Sequence, residues 1–323
     1  MYAPKVSVLI PTYNYAHYLD DTIQSVLKQT YTDFELIIVD NCSTDNTDEV
    51  VKKYLNDKRV SFYTNETNVG LVGNWNKCLE YARGKYIKFL CADDMFHPGL
   101  LEKFIPVLEQ FPDVSIVSSY CEIFGNSNFC RIIPFKGRVS AHVVRETLLG
   151  SRNTLGSPSV VMFRKSDAEK VGMFNPQLIK FTDREYYLRL LTLGDCYLIP
   201  ETFSYVRSHP DTQSSLIQGK KHELIFERHR FNTSVGKLST PATGPVRFEI
   251  NETIKRSALR SAAVMYEMLP KLHKKKSRAL FKKAFHIGYS EGVLLKPVLH
   301  YLQWKYVKRL IGKKQIELHK IVQ

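Results

Sequence analysis

Two neighbouring carboxylates, Asp93 and Asp94, directly follow a short apolar run at residues 86–91. The aromatic and β-branched residues of that run predict a buried strand, and Pro98 opens a helical pattern just beyond it. Open α/β sheets bind ligands at the carboxyl ends of their strands, and a divalent cation that carries a diphosphate takes carboxylate oxygens as ligands. Asp is also common in turns that enter helices, so this stretch alone leaves a metal site and a structural turn both open.

Polar residues also end the first two predicted strands. The first strand, residues 6–10, leads into a loop that consists of Pro11, Thr12, Tyr13 and Asn14. The second strand, residues 35–39, leads into Asp40. Asp40 is suited to accept a hydrogen bond from a ribose hydroxyl or from the imide N–H of a base, and its alternative role is to stabilise the next turn. Because parallel strands open their carboxyl-end loops on one side of the sheet, we expect these residues to converge with the acidic pair.

Strand and helix patterns alternate through the first 120 residues. This alternation predicts an α/β fold with a mostly parallel, Rossmann-like sheet, right-handed crossovers and helices on both faces. No GxGxxG sequence follows the first strand, and no GxxxxGK[ST] loop occurs in the chain. A hydride-transfer enzyme and a P-loop ATPase are therefore both disfavoured.

Four segments in order carry a resemblance to a known family: residues 6–14, residues 39–47, residues 68–70 and residues 90–94. Over about the first 215 residues the chain resembles the inverting family 2 glycosyltransferases of the GT-A fold. The resemblance implies a hexosyl- or N-acetylhexosaminyltransferase that takes a nucleotide-diphosphate sugar as donor and a divalent cation, Mn²⁺ or Mg²⁺, as cofactor. It also implies a saccharide or lipid-linked saccharide as hydroxyl acceptor, as in the synthesis of surface polysaccharides or glycoconjugates.

The resemblance assigns the donor site residue by residue. Asp40 would take the base N–H, Asp93 would hold the ribose side and the metal, and Asp94 would share the metal. The remaining nucleotide contacts would come from Pro11, Thr12, Tyr13, Asn14 and Asn68. Cys91 stands where the family's first acidic residue often stands, and Asn41 and Cys42 replace a more usual Asp-Gly.

The resemblance also assigns a general base. Asp183 matches the acid of the family's xED motif, with Thr182 in place of the usual Glu, and would remove the proton of the acceptor hydroxyl. Thr182 and Glu185 have the spacing of a capping box, which assigns Glu185 to structure. The helix N-terminus keeps Asp183 ionised and makes it a weaker base, whereas a dry site raises its pKa again.

Arg207 and His209 resemble the family's C-terminal Arg/His segment. His209 would then be a third metal ligand or a neighbour of the diphosphate, and Arg207 would contact phosphate oxygens. A His before a Pro is also common as a plain loop residue, and this alternative stays open.

Charge divides the chain at about residue 215. Residues 216–323 hold 23 Lys and Arg against 7 Asp and Glu, a net charge of +16, whereas residues 1–215 have a net charge of −2. We expect a GT-A domain over 1–215, with a nucleotide-binding half at 1–122 and an acceptor half at 123–215, followed by a helical basic region at 216–323. Six cysteines without metal spacing, and the lack of a signal-like or membrane-spanning run, predict a cytosolic protein or one peripheral on the cytosolic face of a membrane.

The basic region leaves two interpretations open. Basic, apolar and Trp-bearing sequence at 271–314 suits an anionic membrane interface, and it equally suits a helical subdomain that packs on the core or on a second subunit of a homodimer. A nucleic-acid role is disfavoured because no recognition motif accompanies the charge. Two alternatives to a glycosyltransferase also follow: a nucleotide-sugar-binding protein without turnover, suggested by Cys91 and Thr182, and a basic module for membranes or polyanions.

Overall fold

The computed structural model describes residues 3–150, 153–211, 221–236, 238, 253–261, 264, 268, 271, 274–291 and 293. The chain divides into two compact units, residues 1–216 and residues 217–323. Each unit has its own buried apolar cluster and is described separately below.

One mixed sheet with helices on its faces forms the first unit. Its strands are β1 (Val6–Thr12), β2 (Phe34–Asp40), β3 (Val60–Thr64), β4 (Tyr86–Phe89), β5 (Met95–Phe96), β6 (Val114–Gly125), β7 (Phe129–Arg131), β8 (Gly137–Val139), β9 (Met162–Arg164) and β10 (Asp195–Ser208). Its helices are α1 (Ala16–Leu27), α2 (Thr47–Lys52), α3 (Gly70–Tyr81), α4 (Leu100–Gln110), α5 (Ala141–Leu149), α6 (Lys165–Val171) and α7 (Thr182–Leu190), and a 3₁₀ turn spans Pro158–Val160.

The sheet has the strand order β3-β2-β1-β4-β9-β6-β10-β5. The first four strands are parallel. Strand β9 is antiparallel to both of its neighbours, so β6 and its parallel partner β10 run in the same direction as β1–β4. The predicted mostly parallel α/β architecture is confirmed, and the antiparallel insertion of β9 is an addition that the strand–helix alternation did not predict.

The core lies between the sheet and its helices. Every residue of β2 is buried, and β1 is buried except at Pro11. The apolar stripe of α1, at Leu19, Ile23 and Val26, packs on them and has no exposed surface. Full burial of each such aliphatic side chain contributes about 1.5–3 kcal/mol. This packing fixes the carboxyl ends of β1 and β2 side by side, with Thr12 in register with Asp40.

The described part of the second unit is helical. It contains α8 (Lys221–Gly236), a helical stretch at residues 253–261, and α9 (Lys275–Ser290). Phe226 of α8 packs with Leu280 and Ala284 of α9 in a small apolar cluster. The prediction of a mainly helical basic region is confirmed, whereas the Trp-bearing stretch beyond residue 293 lies outside the described residues. No helix in the described parts of the chain is long and apolar enough to cross a membrane.

Candidate functional site

The loops after β1 and β2 are bonded to each other. Asn14 Oδ1 accepts from the N–H of Thr44 at 2.8 Å, and the N–H of Asn14 donates to Ser43 Oγ at 2.8 Å. Asn14 has a φ of 56° and Cys42 a φ of 64°, so each loop contains a non-glycine residue in the left-handed region. Pro11 is half-buried, Thr12 is buried and Tyr13 is 40% exposed at this edge. The four residues predicted to surround a base and ribose therefore form one fixed rim.

Asp40 is buried at the end of β2, and its carboxylate accepts from the N–H and the hydroxyl of Ser43. These two hydrogen bonds stabilise the turn after β2, which is the alternative role considered for Asp40. The nucleotide-binding role of Asp40 stays a prediction.

Asn41 connects β2 to the loop before α3. Its Nδ2 donates to Asn68 Oδ1 at 2.9 Å, and its Oδ1 accepts from the N–H of Val69 at 2.9 Å. Asn68 is exposed and its Oδ1 also accepts from the N–H of Gly70. Asn68 therefore orders the start of α3, and Asn41, which the sequence analysis treated only as a departure from the family pattern, is the residue that holds it.

Asp93 and Asp94 have different environments. Asp94 is 2% exposed, and its two oxygens accept from Ser159 Oγ at 2.6 Å and from the N–H of Arg207 at 2.9 Å. Burial, followed by the charge of Asp93, raises the pKa of Asp94 well above its usual value. Asp93 is half-buried, and its Oδ2 lies 2.9 Å from Nε2 of His209. Asp93 thus carries the more accessible of the two carboxylates.

Arg207 and His209, at the end of β10, meet this acidic pair. The Arg207 guanidinium lies 4.5 Å from the ring centres of Tyr18 and of Phe124, and its Nε donates to the carbonyl of Asp93 at 3.0 Å. These contacts position the Asp93–Asp94 turn. The His209 ring is buried against Tyr18, and its Nδ1 has no hydrogen-bond partner among the described residues.

A buried lysine that the sequence motifs did not single out supports the acidic turn through Ser159. Lys88, in the middle of β4, has no exposed surface, and its ammonium donates to the carbonyls of Ser159 at 2.6 Å and Val161 at 3.2 Å. Ser159 in turn bonds Asp94 through its hydroxyl, which also accepts from the N–H of Cys91 at 3.0 Å. A lysine within an otherwise apolar strand is the sequence signal that was available.

Asp183 lies in the first turn of α7. Its Oδ2 accepts from Asn153 Nδ2 at 2.8 Å and its Oδ1 from the N–H of Arg184 at 2.7 Å. Burial raises the pKa of Asp183 to about 6, and the hydrogen bond from Arg184 opposes that rise. The charges of Asp93, Asp94 and Asp183 all help to raise the pKa of the Cys91 thiol, after burial. The three carboxylates therefore lie in electrostatic reach of one side chain.

The predicted capping box is wrong. Phe181 precedes α7 as its cap and makes no side-chain cap bond, so Thr182 is already the first helical residue. The Thr182 hydroxyl is buried without a partner among the described residues, and Glu185 pairs with Arg189 one turn later at 2.9 Å. Glu185 is still a structural residue, but through an ion pair along the helix.

Comparison with known proteins decides the family. Residues 7–172 match the family described as Glycosyl transferase family 2. The chain belongs to this family. It is 31% identical over 221 residues, 68% of its length, to the Escherichia coli UDP-Glc:alpha-D-GlcNAc-diphosphoundecaprenol beta-1,3-glucosyltransferase WfgD, of which those residues cover 82%. The predicted family and enzyme class are confirmed, so the chain is a glycosyltransferase.

Solved structures show the same fold at lower identity. Staphylococcus aureus TarS 1–349 in complex with UDP-GlcNAc has a TM-score of 0.58 at 16% identity, over 89% of this chain and 92% of that one. Pyrobaculum calidifontis mannosyltransferase PcManGT in complex with GDP-Man and Mn²⁺ has a TM-score of 0.54 at 15% identity, over 94% and 88% of the two chains. The likeness shows that this family 2 member has the GT-A fold.

The donor atoms of the transferase fit a divalent cation. Ligand atoms of Cys91, Asp93 and Asp94 all lie within 4.8 Å of one another, and the His209 imidazole touches Asp93. Carboxylate and imidazole groups suit Mn²⁺, and carboxylates alone suit Mg²⁺. Both Asp94 oxygens are already bonded to the protein, so Asp93 and His209 offer the freer atoms.

Several buried polar atoms of the candidate site have no hydrogen-bond partner among the described residues. Buried side-chain oxygens and nitrogens are normally hydrogen-bonded, yet several at the site have no partner within the described part of the chain: Thr12 Oγ1, Asn153 Oδ1, Ser157 Oγ, Thr182 Oγ1, Tyr187 Oη and His209 Nδ1. Such atoms fit a site that a polar substrate completes.

Proposed function

We propose that this glycosyltransferase is metal-dependent and inverting, and that it moves a sugar from a nucleotide-diphosphate donor to a hydroxyl acceptor. The observation that carries the proposal is the cluster of ligand atoms from Cys91, Asp93 and Asp94, all within 4.8 Å of one another. Asp183 complements it, because Asn153 and the N–H of Arg184 hold its carboxylate at the start of α7 and burial raises its pKa to about 6. A carboxylate with such a pKa is largely ionised at neutral pH and is a stronger base than an exposed Asp.

The donor would lie across the carboxyl ends of β1, β2 and β4. The rim formed by Pro11, Thr12, Tyr13 and Asn14 would hold the base and ribose, and the exposed Tyr13 ring would cover the base. Thr12 Oγ1 is free to bond the ribose. Asp40 and Asn68 would complete the nucleotide site, Asp40 by giving up one bond to Ser43. The ligands of structurally similar proteins support a nucleotide sugar as donor, since TarS was solved with UDP-GlcNAc and PcManGT with GDP-Man.

Asp93 and His209 would hold the cation, with Asp94 behind them. A bound Mn²⁺ or Mg²⁺ would supply neutralising charge to the departing diphosphate. Arg207 holds the turn that presents Asp93, so we assign it a positioning role rather than direct contact with phosphate.

Asp183 would act as the base. The acceptor hydroxyl oxygen attacks the anomeric carbon, its proton passes to Asp183, and the bond from that carbon to the diphosphate oxygen breaks with inversion. Asn153 and the N–H of Arg184 fix the carboxylate, so its orientation is set before the acceptor arrives.

The acceptor class is proposed from the relatives. WfgD acts on a sugar linked to diphosphoundecaprenol, and a segment of 101 residues is 44% identical to a putative teichuronic acid glycosyltransferase, TuaG of Bacillus subtilis. We propose a hexosyl or N-acetylhexosaminyl transfer to a saccharide or lipid-linked saccharide in surface polysaccharide synthesis. The reaction would take place in the cytosol or at the cytosolic face of a membrane.

A screen of nucleotide sugars tests the proposal. The full chain is incubated with UDP-, GDP- and dTDP-sugars, with Mn²⁺ or with EDTA, and release of the nucleoside diphosphate is measured. We expect slow hydrolysis of one donor that needs the cation and that is lost in Asp93→Asn but kept in Asp48→Asn, a change on the exposed surface of α2. Donor binding without turnover under all conditions would favour the binding-protein alternative. Equal hydrolysis in EDTA would contradict the metal assignment.

A further inference from the structure

Helix α9 has one face buried in the second unit and one face exposed. Leu280 and Ala284 pack against Phe226 of α8, and Lys283 pairs with Glu223 at the flank of the contact, at 2.7 Å. The opposite side of α9 is exposed along its whole length. Packing on α8 therefore fixes which side chains α9 presents outward.

The outward face has a repeated spacing. Lys275, Arg278, Lys282, Phe285 and Tyr289 are all exposed and follow one another at intervals of three or four residues, so they form a single stripe on the helix. The stripe is basic in its first two turns and aromatic in its last two. We call these five residues the α9 stripe.

The cations of the α9 stripe form no ion pair within the described part of the chain. Among the described residues, no acidic side chain forms an ion pair with Lys275, Arg278 or Lys282, and Lys276 beside them is also exposed and unpaired. The whole region from residue 216 carries a net charge of +16. Clustered like charges repel one another, so this face is suited to an anionic partner.

The aromatic part of the stripe distinguishes between anionic partners. Tyr289 is 72% exposed and Phe285 47% exposed, and their rings are stacked with centres 6.4 Å apart. Aromatic side chains beside lysines on one helix face are typical of helices that lie in a bilayer interface, where the rings enter the headgroup region and the cations contact lipid phosphates. A nucleic-acid duplex would contact the cations through its phosphates and would leave the two rings unused. A single strand would stack its bases on the rings, so vesicle binding itself distinguishes a lipid surface from a single-stranded nucleic acid.

We propose that the α9 stripe binds the surface of an anionic lipid bilayer, with Phe285 and Tyr289 inserted among the headgroups. This contact lies in a different unit from the glycosyltransferase site and does not depend on the donor or the cation. It would hold the enzyme at the surface where lipid-linked saccharides are found.

Vesicle sedimentation of the full chain tests the proposal. We expect the protein to sediment with vesicles that contain phosphatidylglycerol, but not with pure phosphatidylcholine vesicles, and to be released by high salt. Each interfacial cation contributes about 1 kcal/mol, so Lys275→Gln/Arg278→Gln/Lys282→Gln should weaken partitioning on the order of a hundredfold. The matched control, Lys28→Gln/Lys58→Gln/Lys103→Gln, removes the same charge from exposed positions in the first unit and should sediment like the unmodified chain.

A variant without Phe285 and Tyr289 provides the second part of the vesicle experiment. Phe285→Ala/Tyr289→Ala keeps every charge and should weaken vesicle binding at least tenfold, while circular dichroism verifies that the fold is kept. The proposal is overturned if the full chain binds no anionic vesicle, or if the triple variant and its control bind equally. It is also overturned if the aromatic variant keeps full vesicle binding, which would mean that the rings do not enter the bilayer, or if it changes only the mass of a dimer, as a contact with a second copy would.

Discussion

At the scale of single residues, three aspartates of this glycosyltransferase have distinct environments. Asp94 is enclosed by Ser159 and the Arg207 backbone, and Asp93 faces His209. Asp183 lies at the start of a helix and accepts two hydrogen bonds from the described residues. Their sequence positions predicted the three sites, but residue type could not predict which carboxylate is enclosed. That difference comes from Ser159 and Arg207, which approach from distant segments.

The pKa of Asp183 predicts the pH dependence of turnover. Only the ionised carboxylate can accept the acceptor's proton, and with a pKa of about 6 only about one tenth is ionised at pH 5. We expect kcat/KM to rise tenfold for each pH unit below pH 6 and to level off above pH 7. A rate that stays constant from pH 5 to pH 8 would contradict the assignment of Asp183 as the base.

The same carboxylate predicts a change in stability. Its folded pKa of about 6 lies above the unfolded value of about 3.9, so ionisation disfavours the folded state, and stability is lost as pH rises through this interval. Asp183→Asn should therefore raise the free energy of unfolding at pH 8 by roughly 1–2 kcal/mol. Urea titrations at pH 8 and pH 4 check the sign, because the advantage should disappear at the lower pH.

The buried bond between Ser159 and Asp94 predicts a coupling between packing and metal binding. Ser159→Ala leaves an Asp94 oxygen without its donor, so we expect a loss of about 1–3 kcal/mol in the free energy of unfolding. We also expect the Mn²⁺ concentration for half-maximal activity to rise at least tenfold, because groups behind a metal site orient its ligands.

Ser115→Ala is the matched control for that prediction. Ser115 is also buried, but its hydroxyl bonds the carbonyl of Gly194 near the start of β6, away from the acidic turn. It should lose comparable stability without changing the Mn²⁺ requirement. Equal shifts in Mn²⁺ requirement for both variants would mean that general loosening, and not the Asp94 contact, is responsible.

At the scale of elements, the loop after β2 carries a backbone cost. Cys42 has a φ of 64°, a conformation that costs an ordinary side chain roughly 1–2 kcal/mol and glycine almost nothing. The Gly that the resemblance implies at this position would adopt the angle freely. The departure was visible in the sequence, but its consequence needed the backbone angle.

Substitution of Cys42 tests this cost. Cys42→Gly should raise the free energy of unfolding by about 0.5–1 kcal/mol, since relief of the left-handed strain exceeds the extra freedom that glycine gains when unfolded. Cys42→Ser keeps a side chain of similar size, and with it the left-handed strain, so it should change the free energy of unfolding little. Denaturant midpoints of both variants check the prediction, and a loss of stability in Cys42→Gly would refute it.

Other elements show where sequence patterns succeed and fail. The α1 stripe was predictable because Leu19, Ile23 and Val26 recur at helical spacing beside a buried sheet. The cap of α7 was not, because Thr182 and Glu185 have the spacing of a capping box but the chain enters the helix one residue earlier, and Glu185 finds Arg189 instead. Local spacing cannot reveal this tertiary competition.

At the scale of the whole molecule, the alternation of strands and helices predicted the parallel half of the sheet and hence the shared edge of β1, β2 and β4. The antiparallel strand β9, and the 3₁₀ turn before it that places Ser159 next to the acidic turn, were not predicted by this alternation. The charge division predicted a separate basic region, and the second unit has its own apolar cluster.

The central claim is that Asp183 removes the acceptor's proton at a site built to hold a cation and a donor diphosphate. The most direct measurement compares binding and turnover in Asp183→Asn, with the donor found in the screen and Mn²⁺. We expect calorimetry to give a donor affinity within a factor of about three of the unmodified enzyme, while transfer falls at least a hundredfold. Retained transfer, or loss of donor binding together with transfer, would contradict the role given to Asp183.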